Sequence, residues 1–414
     1  MLFWLGAAAF ALTILISVSL HELGHMITGK RFGMKVTQYF VGFGPTVFSF
    51  RRGETEYGLK AIPLGGFCKI VGMTPQDDDV APEDQPRAMW RFPVWKRTIV
   101  MSAGSITHFA LAIGGIYVMA LVFGLPNPAY PATDPERRAQ PAKIMVSDCI
   151  SLTLAEGQCT AGVSGVPGPA QSAKLRDGDV ITKIGTAPVA NYGQLVDAIR
   201  AQRVGPVVFE YQRDGQAGKT TVTLVEAERP GDDGGIVKSA MAGVALDTSA
   251  TPYYVKYGPV GAISATGDQT LSIFKATGEA IKKVPQKLPA LWHSITGGER
   301  DPNTPISVLG ASRLGGEAVE HGAWDLFWQI FIGLNVFIGV FNLLPLLPLD
   351  GGHIAIAWYE RVRSWLYQRL RKPDPGRVDY YKLMPLTYAV ILIGGAFTLL
   401  TVTADIINPI TIFK

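Results

Sequence analysis

The stretch Ala11–Gly33 reads ALTILISVSLHELGHMITGKRFG. An apolar run ends in two histidines and a carboxylate, His21, Glu22 and His25, where taking polar groups out of water is most expensive. On a helix, residues four apart share a face, so both imidazoles can grip one metal ion while the adjacent Glu22 reaches a water beside it. The H-E-x-x-H pattern thus makes the end of this apolar segment both a helix and half of a metal site.

The surrounding chain has 414 residues, 48% hydrophobic and only 17% charged, too apolar for an ordinary soluble protein. Crossing a hydrocarbon core takes roughly 20 residues, and four windows without Lys, Arg, Asp or Glu are long enough. They are Leu2–Leu20, Thr98–Gly124, Leu326–Leu349 and Leu383–Ala404. The first lacks a basic leader, and its small-residue patch GAAAFA precedes the apolar stretch, so it reads as a retained anchor rather than a cleaved signal.

Lys and Arg crowd the connection from Lys30 to Arg97 and that from Arg361 to Lys382, whereas the N-terminal tail has none and the C-terminal tail only Lys414. The positive-inside rule puts both connections in the cytoplasm and both termini outside a plasma membrane. Leu125–Asp325 is then extracytoplasmic, its basic residues notwithstanding, because long domains translocate largely regardless of charge. Cys149 and Cys159 fall on that oxidising side, where they could pair or stand as two buried thiols, and Cys68 stays cytoplasmic. A net charge of +4, with no basic run interleaved with aromatics, gives no sign of a nucleic-acid partner.

Within residues 34–97, GPTVFSFRRGETEYGLKAIPLGGFCKI alternates apolar and polar positions about a turn at Arg51–Glu54, which predicts a β-hairpin region beside the membrane. Its edge is either a structural cover or an acceptor for an extended substrate. Residues 142–226 alternate short strands with turns and one helix that starts at Asn191 as N-cap, with Gln194 three residues on. This part resembles a PDZ domain of bacterial proteases, SAKLRDGDVI matching AGLxxGDxI, with KIGTAPV departing from the usual turn. The resemblance implies a module that captures a peptide or C-terminus, or one that acts sterically. Residues 253–323 form an amphipathic connector whose Leu271, Phe274, Gly278 and Ile281 share a helical face among lysines, as expected of a segment on a lipid surface.

A zinc site needs a third protein ligand and an open position. Asp350 is the carboxylate placed for it, in NVFIGVFNLLPLLPLDGGHIAIAW, where Pro345 and Pro348 break the third span. Depth agrees: His21 lies about 28 Å along the first span at 1.5 Å per residue, close to the cytoplasmic side, and Asp350 follows the last apolar residues of a span running the same way.

His21, Glu22 and His25, together with NLLPLLPLDGG matching NxxPxxxLDG at Asn342, Pro345, Leu349, Asp350 and Gly351, resemble the site-2 protease family of intramembrane zinc metalloproteases. YFVGFGPTVFSFRRGETEYGLKAIPLGGFCKIVGM is similar to that family's membrane-associated hairpin loop. The resemblance covers nearly the whole chain. It implies one Zn²⁺ held by His21, His25 and Asp350, Glu22 as general base, and Asn342 as oxyanion stabiliser or substrate-positioning group. It also implies single-span membrane substrates, typically anti-sigma factors already trimmed outside, which must unwind locally because a helix shields its carbonyls. The expected fold is a polytopic α-helical membrane protein: transmembrane helices at 1–33, 98–124, 326–352 and 383–404, the hairpin region, and an extracytoplasmic α/β PDZ domain. One departure stands in the second span, SAGSITHFALA, where relatives carry AGPxxN and this chain has Ser105 and His108; packing, metal approach and substrate contact all remain open for His108. A PDZ scaffold with a dead core and a divalent-metal carrier are the rivals. The intact Glu22 and three ligand candidates speak against the first, and the lack of a paired repeat against the second.

Overall fold

Leu2–Arg31 forms a single helix, α1, apolar as far as Leu20 but for a few hydroxyls, with Lys30 and Arg31 in its last turn at the negative end of the helix dipole. The computed structural model describes residues 1–74, 77, 80–154, 159, 165–230 and 235–413, without the side chains of Leu64 and Pro230. They divide into two units, Met1–Leu125 with Lys256–Lys414, and Pro126–Val255.

After α1 come two long strands, β1 (Val36–Arg52) and β2 (Thr55–Ile70). Both bend back on themselves, β1 at Gly42 with a positive φ of 88° and β2 at Gly65 with 113°, conformations that only glycine adopts without strain. Each strand therefore contributes two stretches. Thr46–Arg52 pairs with Thr55–Lys60 across the turn, and Val36–Val41 lies opposite both Glu56–Leu59 and Gly66–Ile70. Arg87 clamps the turn, its Nη1 and Nη2 donating to Glu54 at 2.6 and 2.7 Å. Helix α2 (Val94–Val122) starts after Pro93 and packs on α1. Met26, Met34, Val36, Ile70, Val100 and Met101 form the apolar cluster that ties α1, the sheet and α2 together.

The Pro126–Val255 unit holds β3 (Ile144–Val146), β4 (Val180–Ile184), β5 (Ala187–Pro188), helix α3 (Tyr192–Arg200), β6 (Gly205–Arg213), β7 (Gln216–Pro230), β8 (Ile236–Met241) and β9 (Val244–Leu246). Five strands form one sheet in the order β8-β7-β6-β4-β5, and β9 pairs with β3. Phe209, Ile181, Ile184, Leu195, Val222 and Leu224 are buried between sheet and helix. Asn191 caps α3, its Oδ1 accepting from Gln194 N–H at 2.9 Å, while Gln194 Oε1 accepts from Ala190 N–H at 2.8 Å. Cys149 and Cys159 are joined, which settles the alternative that the sequence left open.

The first unit resumes with α4 (Pro259–Ile295), α5 (Val308–Glu320), α6 (Trp324–Asn342), α7 (Asp350–Arg369) and α8 (Met384–Ile407). The stretch 253–323, expected as an amphipathic connector, contains α4 and α5. Phe274 of α4 meets Phe109 of α2 at a ring separation of 4.9 Å, and α5 is buried along α1, with Phe10 against Ala311 and Ala318. The stretch 326–352, expected as a span broken by Pro345 and Pro348, is a helix, a loop and the start of another helix. α6 ends at Asn342 because Pro345 and Pro348 offer no N–H and disfavour helix before them. Residues 2–31, 94–122, 324–342 and 380–407 are long and apolar enough to cross a membrane, and large side chains such as Trp4, Leu392 and Ile393 stand on the outside, more than two-thirds exposed, as lipid-facing groups do.

Candidate metal centre

Because α1 continues unbroken through the H-E-x-x-H stretch, His21 and His25 stack one turn apart, each 6% exposed, with Nε2 atoms 3.1 Å from one another. α2 supports them closely. Gly24 lies against the Ala103 carbonyl, where a Cβ would stand 2.7 Å from the oxygen, and Gly104 lies flat against the His21 ring. His25 Nδ1 lies 2.7 Å from the Val100 carbonyl oxygen, which can only accept, so Nδ1 carries the proton and Nε2 of the neutral ring presents a lone pair.

Asp350 is the first residue of α7, where a carboxylate suits the positive end of the helix. The loop 343–349 doubles back beneath that first turn. Side chains at Gly351 and Gly352 would overlap the Leu343 carbonyl and the Leu347 nitrogen, so the two glycines after Asp350 are what let the loop close there. As a result Asp350 Oδ2 lies 3.3 Å from His21 Nε2 and 3.4 Å from His25 Nε2.

The three atoms form a nearly equilateral triangle. Tetrahedral zinc with bonds of about 2.0–2.1 Å sets its ligand atoms about 3.3–3.4 Å apart, so the triangle has the size of one face of such a site. The charges agree with the lengths: His25 Nε2 presents a lone pair, and Asp350 Oδ2 is buried without a hydrogen-bond partner among the described residues. Acceptors gathered so closely call for a cation. Among the described residues this is the one group of three or more His, Cys, Asp or Glu able to hold a metal ion.

Glu22, next to His21 in the chain, lies against β2. Gly66 of β2 passes beside its side chain. Tyr39 fixes the sheet on α1 by donating from its hydroxyl to the Ser19 carbonyl at 2.8 Å. The Cys68 thiol, pushed up to about 12 by burial and then by the charge of Glu22, stays neutral and offers no thiolate ligand.

Four of the expected site residues, His21, Glu22, His25 and Asp350, are therefore neighbours. Asn342 is not drawn into the triangle: it ends α6 half-buried, and among the described residues its side chain has no hydrogen-bond partner. The sequence reading missed Ser17 and Asn335, which bind His108 beside the His21 ring. Both left a signal, Ser17 as the residue four before His21 on the same helix face, and Asn335 as a polar residue within an apolar span.

The Peptidase family M50 model matches residues 9–372. The chain is 44% identical over 419 residues to zinc metalloprotease Rip1 of Mycobacterium tuberculosis, covering 100% of both chains. It is 43% identical over 421 residues to zinc metalloprotease Rip1 of Mycolicibacterium smegmatis, again 100% of both. A putative zinc metalloprotease of Mesorhizobium japonicum is 26% identical over 364 residues, 85% of this chain and 88% of that one.

Proposed function

Because the chain belongs to peptidase family M50 and is a multi-pass membrane zinc metalloprotease, we propose that His21, His25 and Asp350 hold its Zn²⁺ and that Glu22 moves the protons of peptide hydrolysis. The observation that carries this reading is the triangle of ligand atoms with edges of 3.1, 3.3 and 3.4 Å. Bound zinc supplies a Lewis acid that polarises a peptide carbonyl and acidifies water.

The chain's own groups do the rest. The Val100 carbonyl holds the His25 ring with its lone pair inward. Glu22, beside Gly66 of β2, takes a proton from the attacking water and returns it to the leaving amine. Asn342, half-buried ahead of the Asp350 loop, is assigned to substrate or oxyanion binding on family resemblance. The rim stretch Gly66–Ile70 runs past Glu22, which suits it to receive an unwound substrate as an added strand.

Substrates are then single-span membrane proteins, with anti-sigma factors trimmed outside the membrane as the class the resemblance suggests. Both termini and the Pro126–Val255 unit are assigned to the outside on the distribution of Lys and Arg. That unit we assign as a PDZ module that excludes untrimmed ectodomains; deleting 142–226 should allow full-length substrate to be cut, and unchanged selectivity would refute the assignment.

The central test is cleavage of a labelled transmembrane peptide by purified, zinc-loaded protein. Wild type should cut, whereas Glu22→Gln should lose at least about 100-fold in rate with its zinc retained. Equal cleavage by the two would remove Glu22 from the mechanism.

A further inference from the structure

Beside the metal centre lies a polar cluster that this mechanism leaves unused. Ser17, His108 and Asn335 come from α1, α2 and α6 and are 2%, 1% and 1% exposed. Asn335 Nδ2 donates to the Phe331 carbonyl of its own helix at 2.8 Å, which turns Oδ1 towards the other two. The Ser17 hydroxyl donates to that oxygen at 2.5 Å, and His108 Nδ1 lies 2.8 Å from it. An amide oxygen has no proton to give, so Nδ1 is the donor and the lone pair of the neutral ring sits on Nε2.

That Nε2 is buried with no hydrogen-bond partner among the described residues. It belongs to a ring whose centroid is 5.1 Å from that of His21. Three residues earlier on the same face of α2, the hydroxyl of Ser105 is fully buried and likewise without a partner. Next to it, Gly104 carries the His21 ring. A hydrophobic side chain at 108 would leave no acceptor unmet, yet three helices instead converge to lock one tautomer and hold a lone pair ready.

The donor to expect follows from the substrate. A transmembrane helix that unwinds at the metal centre frees backbone N–H groups where no bulk water can satisfy them. We propose that His108 Nε2 is a substrate-binding acceptor, taking a hydrogen bond from a backbone N–H of the unwound segment next to the scissile bond. Ser17 and Asn335 are positioning residues that hold the ring in the Nδ1–H form. The Ser105 hydroxyl is placed to meet a carbonyl of the same segment.

This inference rests on the protease reading, and the test separates the two. Purified zinc-loaded protein is given a labelled transmembrane peptide and a set in which the peptide bonds flanking the cut are replaced singly by esters, each removing one N–H. Wild type, His108→Leu and His108→Asn are compared for kcat, KM, zinc content and melting temperature. The expected result is one ester position at which wild type loses about 3- to 10-fold in kcat/KM, the worth of a hydrogen bond. His108→Leu should show that loss already on the all-amide peptide and no further loss on the ester, with zinc content unchanged. His108→Asn, which keeps an acceptor, should recover sensitivity to the ester. Equal sensitivity of all three proteins at every ester position overturns the proposal, as does a loss of zinc from either folded variant. If one variant does not fold, the comparison of the other with wild type decides. Failure of wild type to cut the all-amide peptide would instead refute the protease reading itself.

Discussion

His21 Nε2 and Asp350 Oδ2 lie 3.3 Å apart, although one belongs to the first helix of the chain and the other to the first turn of α7. With His25 they enclose a point equidistant from three lone-pair donors, so removing any one opens the site. His25→Ala and Asp350→Ala are expected to bind zinc more than about 100-fold more weakly than wild type, beyond the usual effect of losing an outer partner of a ligand. Metal analysis after dialysis against a graded chelator measures this. Wild type stripped of zinc should stop cutting and recover when zinc is returned.

Gly104 makes a second prediction because it is the floor under the His21 ring. Gly104→Ala places a methyl group on that ring and should weaken zinc binding by about 10- to 100-fold, as loss of ligand support does. Gly114→Ala on the same helix, where a Cβ meets nothing within 4 Å, should bind zinc normally. Similar behaviour of the two variants would show that the ring does not rest on α2.

Asp405 of α8 is 3% exposed and accepts from Arg300 Nη2 at 3.0 Å and from the Ser307 N–H at 2.6 Å, at the start of α5. Asp405→Ala leaves a buried guanidinium and a helix N-terminus unmet, a loss of about 3–5 kcal/mol. Thermal unfolding in detergent should show a clearly lower midpoint, with Asp405→Asn between the two.

Outside the spans, Asp247 is held at about 2 by the Lys143 ammonium 2.8 Å away and by hydrogen bonds from Ser249. A carboxyl group whose folded pKa is depressed contributes stability that is fully present above its unfolded pKa of about 3.9 and is lost as pH falls through the folded value. Because Lys143 is 41% exposed, the contribution is about 1 kcal/mol. The protection of the Val244–Leu246 amides, taken as intrinsic over observed exchange rate at each pH, should therefore fall between about pH 4 and pH 2 in wild type, and Asp247→Asn should flatten that dependence.

The sequence by itself marked out the four apolar segments and the candidate ligands. Apolar length without charge is a local property, and H-E-x-x-H carries its own geometry, because any helix puts residues four apart on one face. Asp350 was also legible, through its position after a proline-broken span. The prolines marked the break in 326–352, but not where α6 ends and α7 begins, since helix ends depend on where the freed backbone groups find partners.

Only the tertiary structure decided which groups meet. The seat of His21 on Gly104, the approach of Gly66 to Glu22, and the lock that Ser17 and Asn335 place on His108 all join residues far apart in the chain. Periodicity assigns a residue to a face of its own helix. Which distant side chain faces it is fixed by close packing between elements, and that packing leaves His108 Nε2 without a partner among the described residues, beside the candidate metal centre.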